Sequence, residues 1–165
     1  MKKIGTLIAI IVFLIVAFLL FRRNINQTHS MDSQSFRLEN PNKIDKILLS
    51  PNNTELDYIL IYKENDRWFV KNSKLTEPAD THSIRELLYW VLRKAQIKSP
   101  VSDAEKEPVT REIALNGVKA VFYSGGTEVN SFYAGNPTPN QEATYMYHPD
   151  MERPCIVEIT GFKGY

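Results

Sequence analysis

The opening of the chain is its most constraining feature. From Ile4 to Phe21 there is no charged side chain, and the only polar one is Thr6. A helix over these residues would be about 27 Å long at about 1.5 Å per residue, close to the hydrocarbon thickness of a bilayer. A helix buried in a globular core carries its apolar residues on one stripe. Here they fall all round. The expectation is a transmembrane signal anchor over residues 1–23, its apolar span bounded by Ile4 and Phe21. A cleavable signal peptide competes with this reading, since Lys2 and Lys3 suit its basic leader. The apolar run is too long for such a peptide, however, and Leu19-Leu20-Phe21 passes straight into Arg22-Arg23 with no small-residue cleavage site. Charge orients the anchor weakly. Lys2, Lys3 and the terminal amine nearly balance Arg22 and Arg23, and the amine tips the count toward a cytoplasmic N-terminus with the domain outside.

Without Lys2 and Lys3 the chain keeps 18 basic residues against 19 acidic ones, a net charge of −1. That near-neutrality argues against nucleic acid as a partner, which calls for a basic stripe. It also leaves little attraction to anionic lipid beyond Arg22 and Arg23. Cys155 is the only cysteine, so no internal disulfide forms and no thiol near the anchor takes a lipid. The run CIVEI alternates as a strand does, which makes Cys155 a buried strand residue.

Residues 24–35 (NINQTHSMDSQS) are polar and without period, and read as a flexible stalk roughly 20 Å in reach. The domain follows over 36–165. Strands are expected near Phe36–Leu38 and over Ile44–Leu49. The clearest hairpin joins Tyr58–Tyr62 to Arg67–Val70 through Glu64-Asn65-Asp66. Asp80 offers an N-cap to a helix whose Ile84, Leu87, Leu88, Val91, Leu92 and Ala95 share one face. Residues 96–101 read as a short edge strand limited by Pro100. A short second helix is expected from Pro108 to Leu115, stopping at Asn116-Gly117. Then come a hairpin turning at Gly125-Gly126 and two strands, Thr144–Tyr147 and Cys155–Ile159. The fold class this implies is α+β: an N-terminal transmembrane helix, then a mostly antiparallel sheet with one main packing helix and a short second helix.

In its order of features the chain resembles a bacterial envelope family known as domain of unknown function 4340. The residues that carry the likeness are Phe36 and Leu38 as F-x-L, KIDKI (Lys43 to Ile47), Trp68 in a hairpin and KSPV (Lys98 to Val101). LNGVKA (Leu115 to Ala120), GNPTPNQEATYMY (Gly135 to Tyr147) and GFKGY (Gly161 to Tyr165) complete it, the last two being the most specific. The resemblance implies an inner-membrane protein with a periplasmic domain, and an accessory role beside an ABC-type transport system. It supplies no catalytic residues. Similar proteins often continue past the GF-x-GY segment, whereas this sequence ends at Tyr165, as a short or truncated member would.

Two segments stand out as binding candidates. In the GNPTPNQEATYMY loop, Asn136 and Thr138 with Tyr145 on the following strand suit a peptide or glycan; the alternative is a rigid crossover whose Asn and Thr satisfy their own backbone. On the helix, Trp90 and Arg93 with Tyr89 and Glu86 suit a partner surface, unless the helix flank or a loop covers the indole. His82 reads as a capping neighbour of Asp80, and His148 as a partner of Asp150. The three histidines have no metal-ligand spacing, and Gly125-Gly126 lacks a phosphate-loop pattern. No metal, cofactor or catalytic residue is expected. The function expected is a non-catalytic accessory or scaffold protein of the envelope, with lipid around the anchor and a membrane or envelope protein as partner. The alternative is a ligand-binding or enzymatic domain using the Gly135–Tyr147 loop.

Overall fold

Alternating apolar residues bounded by tight turns build a single sheet. The computed structural model describes residues 35–53 and 55–159, apart from the side chains of Trp90 and Val91. The expected anchor (residues 1–23, with Ile4 and Phe21), the stalk up to residue 34 and the GFKGY segment lie outside them.

The sheet has nine strands, all antiparallel: β1 (Lys46–Pro51), β2 (Ile59–Glu64), β3 (Arg67–Lys71), β4 (Thr76–Pro78), β5 (Ala95–Pro100), β6 (Val118–Ser124), β7 (Thr127–Pro137), β8 (Thr144–Tyr147) and β9 (Cys155–Ile159). Their order across the sheet is β4-β3-β2-β1-β6-β7-β8-β9-β5. Two hairpin turns need left-handed backbone. Asn65 and Asp66 supply it between β2 and β3 at φ 49° and 62°, and Gly125 and Gly126 between β6 and β7 at 58° and 80°. Positive φ at both central residues matches the twist of the flanking strands.

Helix α1 (Thr81–Glu86) starts where Asp80 accepts hydrogen bonds from the His82 and Ser83 N–H groups. It widens into a π turn over Leu87–Val91, in which the Leu92 N–H reaches back to the Leu87 carbonyl at 3.0 Å. The chain has by then passed from the β4 edge to the β5 edge. Helix α2 (Asp103–Asn116) returns it to the sheet's centre.

Side chains alternate between the two faces of a strand. The inner face carries Ile47, Ile61, Trp68, Phe122, Phe132, Met146, Cys155 and Val157, buried together with Ile84, Leu88 and Leu92 of the α1 segment. Phe36 and Leu38 close this core from the N-terminal side, Phe36 standing edge-on to Phe132 at 5.8 Å. The outer face carries Leu48, Leu60, Tyr62, Phe69, Val121, Tyr133 and Tyr147. Helix α2 packs on this face over β7 and β8.

The expected fold class is corrected by this arrangement. The domain is mostly one antiparallel sheet with two short helices, and not an α+β layer pair organised by a main helix. The α1 segment keeps its apolar stripe, but its regular α-helical part ends at Glu86. The longer helix is the second, and it begins at Asp103 and not at Pro108. Among the described residues no helix is long and apolar enough to cross a membrane. Phe36–Leu38 is not a strand. Its backbone is pinned by Asn130, whose side-chain amide donates to the Ser35 and Arg37 carbonyls at 3.1 and 3.0 Å.

Candidate functional site

The two binding candidates read from the sequence occupy separate places. In the Gly135–Tyr147 loop, Thr138 is 7% exposed and closes the loop on itself. Its N–H donates to the Ala143 carbonyl at 2.8 Å. Its hydroxyl lies 2.7 Å from Asn140 Oδ1 and 3.0 Å from the Ala143 carbonyl, and accepts from the Ala143 N–H at 3.2 Å. Asn140 Nδ2 donates to Glu142, and Asn136 Nδ2 donates to Glu112 of α2 at 2.6 Å. The loop's amides and hydroxyl therefore serve its own shape and its docking on α2. Tyr145 is half-buried on β8, with Ile156 of β9 across from it.

Arg93 is exposed just after the α1 segment, where it lines a cleft of about 280 Å³ with Arg37, Leu38 and Glu39. Tyr89 is partly buried against the core, while His82 Nε2 lies 3.4 Å from Glu86. Asn136, Thr138 and Tyr145 thus stand apart from Arg93, and the Trp90 side chain lies outside what the structure describes.

Three surfaces could receive a partner or ligand. One is the outer sheet face away from α2. A row formed by Phe69, Tyr62, Lys46 and Tyr123 crosses four strands, and Lys71, Leu60, Leu48 and Val121 form the next. Tyr62 and Phe69 stack at 5.7 Å, and the Lys46 ammonium stands 4.1 Å above the Tyr123 ring. These side chains are half-buried, save exposed Lys71 and buried Val121. At one end of these rows the β1–β2 loop and the β3–β4 turn are joined through Asp57, which accepts from the Ser73 N–H at 2.9 Å and from its hydroxyl. These bonds hold the exposed Asp57 carboxyl below its ordinary value. Beside this clasp Leu56 is 61% exposed and Leu75 48%, with Tyr58 and Ile59 also open.

A second surface is a pocket of about 400 Å³ between α2 and the sheet, where Tyr133 and Tyr147 face Thr110, Ile113 and Ala114. Helix α2 approaches β7 closely beside it: a Cβ on Gly135 would meet Ile113 Cγ1 at 2.7 Å. The third is a cleft of about 500 Å³ whose lining includes Arg37, Asn40, Lys43, Asn130 and His148. His148 Nδ1 lies 3.2 Å from the Asp150 N–H and 3.8 Å from the Asp150 carboxylate. Neither of these two pockets is lined by Asn136, Thr138 or Tyr145.

Among the described residues no three His, Cys, Asp or Glu side chains are grouped to hold a metal ion. Cys155 is 1% exposed, and burial pushes its thiol pKa up, an effect Arg153 partly offsets. The sequence reading passed over Arg37, Lys43 and Asn130. Asn130 meets the Arg37 backbone from 93 positions away, a proximity that no local pattern encodes.

Comparison with known proteins returned nothing: no family model, no curated protein and no solved structure matches the chain. The resemblance to the envelope family rests on the motifs quoted for it.

Proposed function

We propose that the chain is a non-catalytic accessory or scaffold protein of the bacterial cell envelope, acting through contacts with another protein. The apolar run from Ile4 to Phe21 would hold it at the inner membrane, with the domain in the periplasm. The observation that carries this reading is the outer face of β1, β2, β3 and β6. Its stacked Tyr62 and Phe69 lie on the strands that lead to an open apolar tip of Leu56, Tyr58 and Leu75. Apolar and aromatic side chains gathered at one place on a small domain are what protein interfaces are built from. Stacked aromatics with few rotatable bonds lose little entropy on docking.

The partner class that the family resemblance implies is a membrane component of an ABC-type transport system. Peptide or glycan binding by the Gly135–Tyr147 loop has less support, since the Thr138 and Asn140 side chains bond within the loop.

Photo-crosslinking in cells tests the reading. A crosslinking residue at Phe69 or Leu75 is expected to capture one membrane-protein partner, while the same residue at Lys106 on α2 captures none. Recovery of uncrosslinked monomer alone from Phe69 and Leu75 overturns the docking surface. Orientation is tested separately, with Cys155→Ala removing the buried thiol and Ser30→Cys placing one in the stalk. An impermeant thiol reagent should label that variant in intact spheroplasts. Labelling only after lysis overturns the periplasmic placement.

A further inference from the structure

The cleft of about 500 Å³ at the N-terminal entry of the domain is built from segments far apart in sequence, and its polar groups share one chemical bias. Arg37 and Lys43 line it, and Arg37 also lines the smaller cleft that holds Arg93. Four cations elsewhere in the domain pair with carboxylates, Lys63 with Asp66, Lys98 with Glu158, Arg111 with Glu107 and Arg153 with Asp103, while Lys46 and Lys119 stand over tyrosine rings. Arg37, Lys43 and Arg93 have no carboxylate partner among the described residues. Glu39 is the one carboxylate on either lining, against three cations across the two clefts. Asp45, close by in sequence, accepts from the Gly125 N–H at 2.6 Å.

The site is preformed. Asn130 holds the Ser35–Arg37 backbone with both protons of its amide. Arg37 is half-buried, and its Nε donates to the Ala95 carbonyl at 2.8 Å. That bond fixes the guanidinium plane and uses one of its five N–H donors, leaving four for a planar or tetrahedral anion. The Asn40 amide adds an uncharged donor to the same lining.

We propose that this cleft binds a phosphate ester, with Arg37 and Lys43 as its charged ligands and Arg93 at its margin. Phosphate offers several acceptor oxygens and a charge of at least −1, matching convergent donors with a small excess of positive charge. A phosphate ester reaches such a site either as the headgroup of an anionic lipid or as a soluble phosphorylated compound. The chain enters the domain at Ser35, which itself lines the cleft. The proposal is independent of the partner-docking reading and involves the other end of β1.

The test uses the full chain in neutral detergent. Calorimetric titration is made with glycerol 3-phosphate, with inorganic phosphate and with dihexanoylphosphatidylglycerol, using dihexanoylphosphatidylcholine as the zwitterionic control. Saturable one-to-one binding of the anionic probes is expected, weakened about 3- to 10-fold by Lys43→Gln and tenfold or more by Arg37→Gln. Lys106→Gln, the same charge change on α2, should leave it unaltered. Binding of the lipid without glycerol 3-phosphate assigns the site to headgroups, binding of glycerol 3-phosphate without the lipid assigns it to solutes, and binding of inorganic phosphate alone overturns the ester assignment. Arg37→Gln also loses the bond to Ala95, so exposed Lys43 carries the decision if that variant fails to fold. No saturable binding of any anionic probe, or equal weakening by Lys106→Gln, overturns the proposal.

Discussion

The two faces of the sheet are made from the same strands and differ in how they are closed. On the inner face the α1 segment crosses the sheet and Phe36 and Leu38 seal the remainder, leaving Phe36 and Ile47 fully buried. On the outer face α2 covers β7 and β8, and the aromatic row over β1–β3 stays half-exposed. The inner face therefore supplies most of the apolar burial that stabilises the domain. The outer face is free to carry a surface whose chemistry is set by contacts outside the domain. Tyr62 and Phe69 stacked on an open sheet would be a weak investment for stability alone.

The sharpest way to break this contrast is to truncate one aromatic on each face. Phe36→Ala should cost about 3–5 kcal/mol, since a fully buried ring leaves a cavity. Phe69→Ala should cost about 1 kcal/mol, as expected for a half-buried side chain. Urea unfolding of the full chain, followed by Trp68 fluorescence, measures both. Equal losses would mean that the outer face is as closed as the inner one.

The next effect concerns how α2 sits on the outer face. A Cβ at Gly117 would lie 2.4 Å from the Ile113 carbonyl oxygen, a contact that backbone must move to relieve. Gly117→Ala should cost about 1–3 kcal/mol by overpacking. A circular-dichroism melt that matches the unaltered chain would show that α2 shifts without cost.

Cys155 reports on the inner face by chemistry. Its thiol is buried, with its pKa pushed up by loss of hydration, so the native chain should resist thiol reagents at mildly alkaline pH. Labelling should follow global unfolding in urea. Fast labelling without denaturant would place β9 outside the closed core.

The smallest effect lies at two exposed carboxylates. Asp57 is held below its usual range first by the Ser73 hydroxyl and then by the Ser73 N–H; Asp80 is held there first by the Ser83 hydroxyl and then by the His82 N–H. A depressed carboxylate pKa favours the folded state above the unfolded value of 3.8, and that contribution fades as pH falls through the folded value. Amide exchange at Ser73 and His82, corrected for intrinsic rates, should lose protection as pH falls below 3.8 and on through the lowered folded values. Unchanged protection would mean that neither carboxylate anchors its turn. At Asp57 this loosening acts on the apolar tip, so it also probes the proposed partner surface.

Local chemistry made much of the domain legible. Asn65-Asp66 and Gly125-Gly126 mark their turns because few other residues accept left-handed backbone, and both hairpins form around them. Asp80 marks the start of α1 by the same local logic. Helix α2 begins five residues before the start expected at Pro108, which reads as a first-turn proline. The signal for the true start was present in Ser102 and Glu105, which have capping-box spacing and whose side chains meet at 2.6 Å. Strand β4 has no sequence signal, since its three exposed residues, TEP, carry no alternation. The α+β reading failed for a different reason. Periodicity shows that Ile84, Leu88 and Leu92 share a face, but not that a nine-stranded sheet supplies almost everything they pack against.

What the sequence determined by itself is what short-range sterics and hydrogen bonding decide: the hairpin turns, the Asp80 cap, the alternation that buries Cys155 and the apolar character of Ile4 to Phe21. What only the tertiary structure decided is which segments meet. The pairing of β5 with β9, the closing of the core by Phe36 and the meeting of Arg37 and Lys43 with Asn130 and His148 in one cleft all join distant parts of the chain. Such contacts are selected by burying the inner face as a whole, a free energy that no local window of sequence contains.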